Sequence, residues 1–345
     1  MWFSVTRCTA FWRLMLVRFP STTPAVALAL LFLAAPLSVT AQQQARVARI
    51  GLLSPFSSAD AGAWHQAFRQ GLRNHGWVEG KNISIEYRYA EGRLDRLPDL
   101  AAELVRLKVD IIVTSVTPDA LAAKKATVTI PIVMAAAGDV TVTGLVESLA
   151  RPGGNITGLS QMNPELAVKR LELLKEIAPQ LSRVAVLWNP EDRISTITWE
   201  GLRAPARGMG IQLHSLEARS ANDFGKAFEE ATRRRAGALA IMPNPVFVTN
   251  LRRLADLAEK NRLPAIFHVT DFVKVGGLVA YGPNRSDLFL RAATYVDKIL
   301  KGAKPAELPI EQPNKFEFWI NLKTAGVLGL TIPSSVLLRA DQTIQ

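Results

Sequence analysis

The chain has 345 residues, 41 Lys and Arg against 30 Asp and Glu, a net charge of +11 and one cysteine. A single cysteine excludes an intramolecular disulfide framework, and 48% apolar residues excludes a disordered, charge-dominated chain. The basic balance would raise nucleic acid binding in a cytoplasmic protein, so the compartment has to be settled first.

Arg7, Arg13 and Arg18 precede an apolar run over residues 25–35, followed by Val39-Thr40-Ala41. A basic start, a short apolar stretch and a small-residue site make a secretory leader, expected to be cleaved after Ala41. The run falls short of the roughly 20 residues that span a bilayer, so residues 1–41 are expected to be a signal peptide and the mature chain not to cross a membrane. Cys8 lies upstream of the apolar run, where it is misplaced for lipid attachment. The expectation is a periplasmic protein without cysteine. The leader holds three Arg and no acid, so its removal lowers the charge to +8. An exported chain does not routinely meet nucleic acid, and none is expected as a partner; runs such as Arg233-Arg234-Arg235 read as solvated surface or as a weak lure for anions.

Beyond the leader, short β-branched runs alternate with helical patterns, as in parallel sheets with helices on both faces. Strands are expected over 47–53, 83–89, 110–114 and 132–134. Between them Leu97, Leu100, Ala101, Leu104 and Leu107 form one helical stripe, with Asp95 and Pro98 in its first turn. A second series follows at an offset of roughly 130 residues: 184–188, 211–217, 238–242 and 265–267. The fold class read from this is α/β, two doubly wound Rossmann-like lobes joined by hinges. The first lobe is expected over 42–158, with 283–304 returning to it, and the second over 159–282. Hinges are placed near Gly158, in the Gly-rich segment 151–158, and near Gly282-Pro283. Residues 305–345, with a strand over 316–320, are left without a lobe.

No nucleophile elbow, phosphate loop or dinucleotide fingerprint is present in the sequence. His65, His75, His214 and His268 show no metal-ligand spacing. No catalytic residue, metal or cofactor is expected. Open parallel sheets bind ligands at the carboxyl ends of their strands, and the loops there carry the candidates for ligand binding. In the first lobe these are Ser54 and Phe56 after the first strand, Thr114, Ser115 and Thr117 after the third, and Asp139 after the fourth. In the second they are Asn189, Asn244, Asp271 and Tyr281. Thr117 before Pro118 reads as a helix N-cap. Such a terminus, with Ser54 and Ser115 near it, suits a solute carboxylate, while Asp271, with Asp139 as rival, suits a cationic or donor group. For each, capping alone is the competing explanation.

Several segments carry a resemblance: Ile50-Gly51-Leu52-Leu53-Ser54, residues 76–83 (GWVEGKNI), residues 149–158 (LARPGGNITG), Gly276-Gly277-Leu278 with Tyr281-Gly282, and residues 320–325 (INLKTA). Together they resemble the ABC transporter substrate-binding protein family of the tryptophan/tyrosine transport type, over essentially the whole mature chain. The resemblance implies a type I periplasmic-binding-protein fold with ligand in the cleft. It also implies capture of a solute and its delivery to an ABC permease and its ATPase; the loop residues point to a small polar, carboxylate-bearing or amino-acid-like solute, and a monomer is expected. Two stretches depart from the family pattern. Members commonly read Ser-Asp-Pro where this chain has Ala137-Gly138-Asp139, and a Tyr-Arg-Glu-Phe-like stretch where it has Val269-Thr270-Asp271-Phe272, so an aromatic amino acid does not follow from the resemblance. Presentation of a solute to a membrane receptor, and an exported α/β enzyme, are the alternative readings.

Overall fold

Residues 47–345 are described by the structure, a computed structural model; the expected signal peptide lies outside them. Strands β1 (Ala48–Ser54), β2 (Ile83–Tyr89), β3 (Ile111–Thr114), β4 (Ile132–Ala137) and β5 (Ile156–Ser160) form a parallel sheet in the order β2-β1-β3-β4-β5. Strands β6 (Arg183–Trp188), β7 (Gln212–Glu217), β8 (Ala238–Ile241), β9 (Ala265–Phe267) and β10 (Val279–Pro283) repeat that order as β7-β6-β8-β9-β10. Beyond β10 the second sheet gains β11 (Phe316–Asn321), antiparallel to it, and β12 (Gln342–Ile344), parallel to β11. The two α/β lobes read from the alternating pattern are therefore present, and the roughly 130-residue offset is a repeat of topology.

In the first half of the chain the helices are α1 (Gly62–Asn74), α2 (Leu97–Arg106) and α3 (Thr117–Ala126). Next come α4 (Asn163–Ile177), α5 (Arg193–Gly208), α6 (Phe224–Arg233), the single turn α7 (Pro245–Val248), α8 (Leu251–Lys260) and α9 (Asp271–Lys274). Last are α10 (Arg285–Leu300), α11 (Leu322–Val327) and α12 (Ser334–Leu337). In α2 the buried residues are Leu97, Leu100, Ala101 and Leu104, three and four apart as an amphipathic helix requires. Strands β3, β4 and β8 are buried along their whole length because helices cover both faces.

Helix α10 packs against α1, with Phe289 stacked on Trp64 at 6.1 Å. A Cβ at Gly71 would lie 2.4 Å from the Leu290 carbonyl oxygen, so only glycine permits this approach of α1 to α10. One apolar cluster covers that face of the first sheet and runs on without a break to Leu187, Phe228 and Phe267 of the second lobe. The lobes are thus apposed. Separate clusters fill the remaining faces, with Leu104 and Ile112 in the first lobe and Leu171 and Val186 in the second.

The chain passes between the sheets three times: after β5 into α4, after β10 into α10, and from Glu311, which pairs with Leu159 beside β5, into β11. The third passage has no counterpart in the sequence reading, and it explains residues 305–345: their start lies along β5, where Thr157 Oγ1 donates to the Leu308 carbonyl at 2.7 Å, and their end joins the second sheet. Strand β5 is a further difference, because Gly158 was expected in a break between the lobes. Gly158 lies inside β5 with φ +128°, and a Cβ there would meet the Met134 carbonyl oxygen at 2.2 Å. Gly158→Ala is therefore expected to cost about 2 to 3 kcal/mol, from the strained backbone and the displaced strand together. Urea unfolding at neutral pH measures this, and a loss under about 0.5 kcal/mol would show that β5 adapts freely.

Candidate functional site

Equivalent strand ends of the two sheets face each other across a cleft. The first lobe contributes Phe56 after β1, Val116, Thr117 and Pro118 after β3, and Ala136 and Gly138 at the end of β4. From the second come Asp192 and Ile194 after β6, Pro243, Asn244 and Pro245 after β8, and His268 after β9. Gln161, Asn163 and Arg285, on the passages between the lobes, close the set at one side. Apolar walls with a few polar groups are the ordinary make-up of a small-molecule site. Gly138 is tightly enclosed: a Cβ there would be 3.1 Å from Ile194 Cγ1 of the opposite lobe and 3.1 Å from Thr117 Oγ1.

The N-terminus of α3 points toward this cleft but is already occupied. Asp119 is fully buried, and its carboxylate accepts from Ser115 N at 2.5 Å and Val116 N at 3.0 Å. Burial pushes its carboxyl up to about 7, against the pull of those backbone N–H groups. The cap residue is Val116, so Thr117 does not cap α3 as expected from its place before Pro118; its hydroxyl accepts from Gly138 N at 2.7 Å and ties α3 to the end of β4. Thr114 Oγ1 and Ser115 Oγ are buried and without a partner among the described residues.

Arg285 is the cationic group of the cleft. It opens α10, where Asn284 caps the helix by accepting from Asp287 N at 2.7 Å. Its side chain is only 8% exposed, lies over Trp64 at 4.6 Å and Phe56 at 5.9 Å, and donates from Nη2 to His268 Nε2 at 3.0 Å. Nη1 is buried without a partner, and among the described residues no carboxylate forms an ion pair with this guanidinium. Asp271, the acid that acts on it from a distance, is paired with Lys274 at 2.8 Å. Burial lowers the Arg285 pKa to about 10, which still leaves it charged at neutral pH. A second guanidinium, Arg170 on α4, is as deeply buried, donates from Nη1 to the Tyr281 carbonyl at 3.2 Å and leaves Nη2 unpaired. Asp192 is the one acid among the cleft residues. Its Oδ2 accepts from Ser195 N at 3.1 Å and Ser195 Oγ at 2.6 Å, capping α5.

The model of the family of ABC transporter substrate binding proteins matches residues 50–344. The chain belongs to that family. Among relatives of the substrate-binding protein, a tyrosine-binding protein of Clostridioides difficile is 27% identical over 266 residues, covering 77% of this chain and 76% of its own. A conserved domain protein from Vibrio cholerae superposes with a TM-score of 0.82 at 29% identity, over 86% of this chain and all of that one. An ABC domain from Streptococcus pneumonia in complex with L-Trp gives 0.81 at 28%, over 86% of this chain and 99% of that one. The type I periplasmic-binding-protein fold implied by the sequence is thus present, and the family is one of ABC transporter substrate-binding proteins. Among the described residues no helix is long and apolar enough to cross a membrane, and no group of three or more acidic, His or Cys side chains is placed to hold a metal ion.

Of the residues expected to touch ligand, the substrate-binding protein brings Phe56, Thr117 and Asn244 together in the cleft. Asn244 also caps α7, accepting from Val246 N at 3.0 Å. Ser54, Thr114 and Ser115 lie buried beneath the wall, with Ser54 Oγ accepting from Phe56 N at 3.3 Å. Asp139 turns back on its own loop, accepting from Thr141 N and Val142 N, both at 3.2 Å. Asn189 lines a separate open groove between the lobes, and Asp271 an adjoining polar pocket that shares Arg285. Tyr281 stacks on Phe316 at 6.2 Å and offers its carbonyl to Arg170. Arg285, Gln161, Asn163, Asp192 and Ile194 were not anticipated. For Arg285 a signal existed: a helix dipole disfavours a cation in the first turn, so an arginine directly after the Asn284 cap needs another reason to be there.

Proposed function

We propose that the mature protein is a periplasmic, monomeric solute receptor that captures an amino-acid-like solute with an apolar body between its lobes and delivers it to an ABC permease and its ATPase. The lobes close over the solute about the passages near Gly158 and Gly282, with the passage from Glu311 as a third strap. One observation carries the reading: a deeply buried, charged guanidinium, Arg285, with an unpartnered Nη1 and no ion-paired carboxylate, on the wall of an interlobe cleft. An unpaired buried charge costs several kcal/mol, and a solute carboxylate would relieve that cost with a charge-assisted hydrogen bond. Asp192, with Oδ1 outside its capping bonds, faces the solute ammonium from the second lobe. Phe56, Val116, Pro118 and Ile194 contact the apolar body, and Thr117, Asn163 and Asn244 set its orientation. The names of the tyrosine-binding relative and of the L-Trp complex support this class of solute.

A thermal-shift screen of amino acids and their deaminated and amidated analogues, followed by calorimetry of the hits, tests the proposal. Carboxylate solutes with aromatic or branched bodies are expected to raise the melting temperature without being consumed. Hits that all lack an acid group, or turnover of any hit, would overturn it.

A further inference from the structure

Arg285 is held by groups that carry no charge. His268 receives its Nη2 at 3.0 Å, and Trp64 and Phe56 lie against its faces. A guanidinium buried this deeply ordinarily has a carboxylate partner, and the place beside it where a carboxylate would stand belongs to an imidazole. The bond also spans the molecule. His268 follows β9 of the second sheet, whereas Arg285 begins the helix that packs on α1 of the first lobe.

We infer that His268 is a specificity-determining residue: as a neutral acceptor it orients Arg285 without neutralising it, and so leaves the positive charge of the cleft for an anionic group on the solute. The inference rests on the reading of this cleft as the solute site. Neutrality is required by the geometry, since Nε2 accepts from a guanidinium only while it carries no proton, which places the proton on Nδ1. Burial, Arg285 and Arg170 all oppose a second proton on the ring and hold its pKa well below the ordinary value. Asp271, near Arg285, Lys274, paired with Asp271, and Glu317 are the charged groups of the polar pocket on that side. A carboxylate at position 268 would grip Arg285 as firmly or more so, but it would cancel the charge and repel an incoming acid.

The near-isosteric pair H268E and H268Q, whose side-chain oxygens reach as far from the backbone as Nε2 does, separates charge from shape. Apo melting temperatures and calorimetric binding of L-tryptophan, L-tyrosine and the amide of each are measured on the full mature protein. H268E is expected to melt at least about 3 °C above H268Q without solute, because it supplies the missing counter-charge. It is also expected to bind the acids about thirtyfold or more weaker than H268Q, with its preference for acid over amide lost, whereas H268Q keeps that preference. The inference is overturned if apo H268E melts no higher than H268Q, or if the two bind the acids equally. Should the wild type bind neither acids nor amides, the amino-acid reading of the cleft fails, and the apo melting difference still decides the role of His268.

Discussion

Replacing Arg285 by Gln should weaken binding of a carboxylate solute by about thirtyfold to several thousandfold while leaving the solute-free protein as stable as before, or more so. The two halves of this expectation have one cause. The guanidinium is 8% exposed and has no ion-paired acid among the described residues, so in the empty cleft it is a cost, and on binding it becomes one partner of a buried charge-assisted pair. Removing one partner of such a pair typically costs about 2 to 5 kcal/mol of binding, which sets the range of the loss. Gln removes the charge, and its amide, two bonds shorter than the guanidinium, gives up the bond to His268 and the stacking on Trp64. Calorimetry and apo melting on one preparation measure both effects. A variant that binds normally would show that Arg285 serves packing alone; one that loses binding and melts much earlier would show that its contacts with Trp64 and His268 support the fold.

Asp119 gives a second large effect, on the pH dependence of stability. Burial pushes its folded carboxyl up to about 7, against an ordinary value of 3.8 in the unfolded chain. Between those values the unfolded chain has released the proton and the folded chain still holds it, so this group lowers stability as pH rises through the window. At about 1.4 kcal/mol per unit the change is on the order of 3 to 4 kcal/mol. His65, lowered to about 4 by burial and by Arg69, acts in the opposite sense below its ordinary value of 6.5, as does His268. Comparison with Asp119→Asn cancels these shared contributions. The stability of the variant relative to wild type is expected to improve by that amount between pH 4 and pH 7.5 in urea unfolding, despite the loss of one bond to Ser115 N. A gap that does not change with pH would mean that Asp119 is ionised in the fold throughout.

The architecture was legible because its signals are redundant. A strand buried on both faces must be apolar along its length, as β3 and β4 are, and the same pattern recurs in β8 and β9. Strand β5 escaped because its glycine serves a close approach to Met134, a tertiary requirement that looks like a local break. The three-residue β12 escaped because it is formed only by pairing with β11, across some twenty residues of intervening chain. At the site, strand order placed the loops, but nothing local fixed the direction of their side chains. Short polar side chains in loops bond to nearby backbone as readily as they face a ligand: Asp139 turns to Thr141 and Val142, Asn189 accepts from Glu191 N at 3.0 Å, and Thr117 reaches Gly138. Asp119 was passed over because its burial depends on how α3 packs, which spacing does not reveal. Only its position in the first turn of α10 set Arg285 apart.

A crystal structure of the mature protein with the strongest solute from the screen bears most directly on the claim that the cleft binds an anionic group through Arg285. The account predicts a solute carboxylate oxygen about 2.7 to 2.9 Å from Arg285 Nη1, with Phe56 and Thr117 on one side of the solute and Asp192 and Asn244 on the other. A solute bound elsewhere, or bound in this cleft with its acid group turned to the α3 N-terminus while Arg285 remains without a ligand contact, would contradict it.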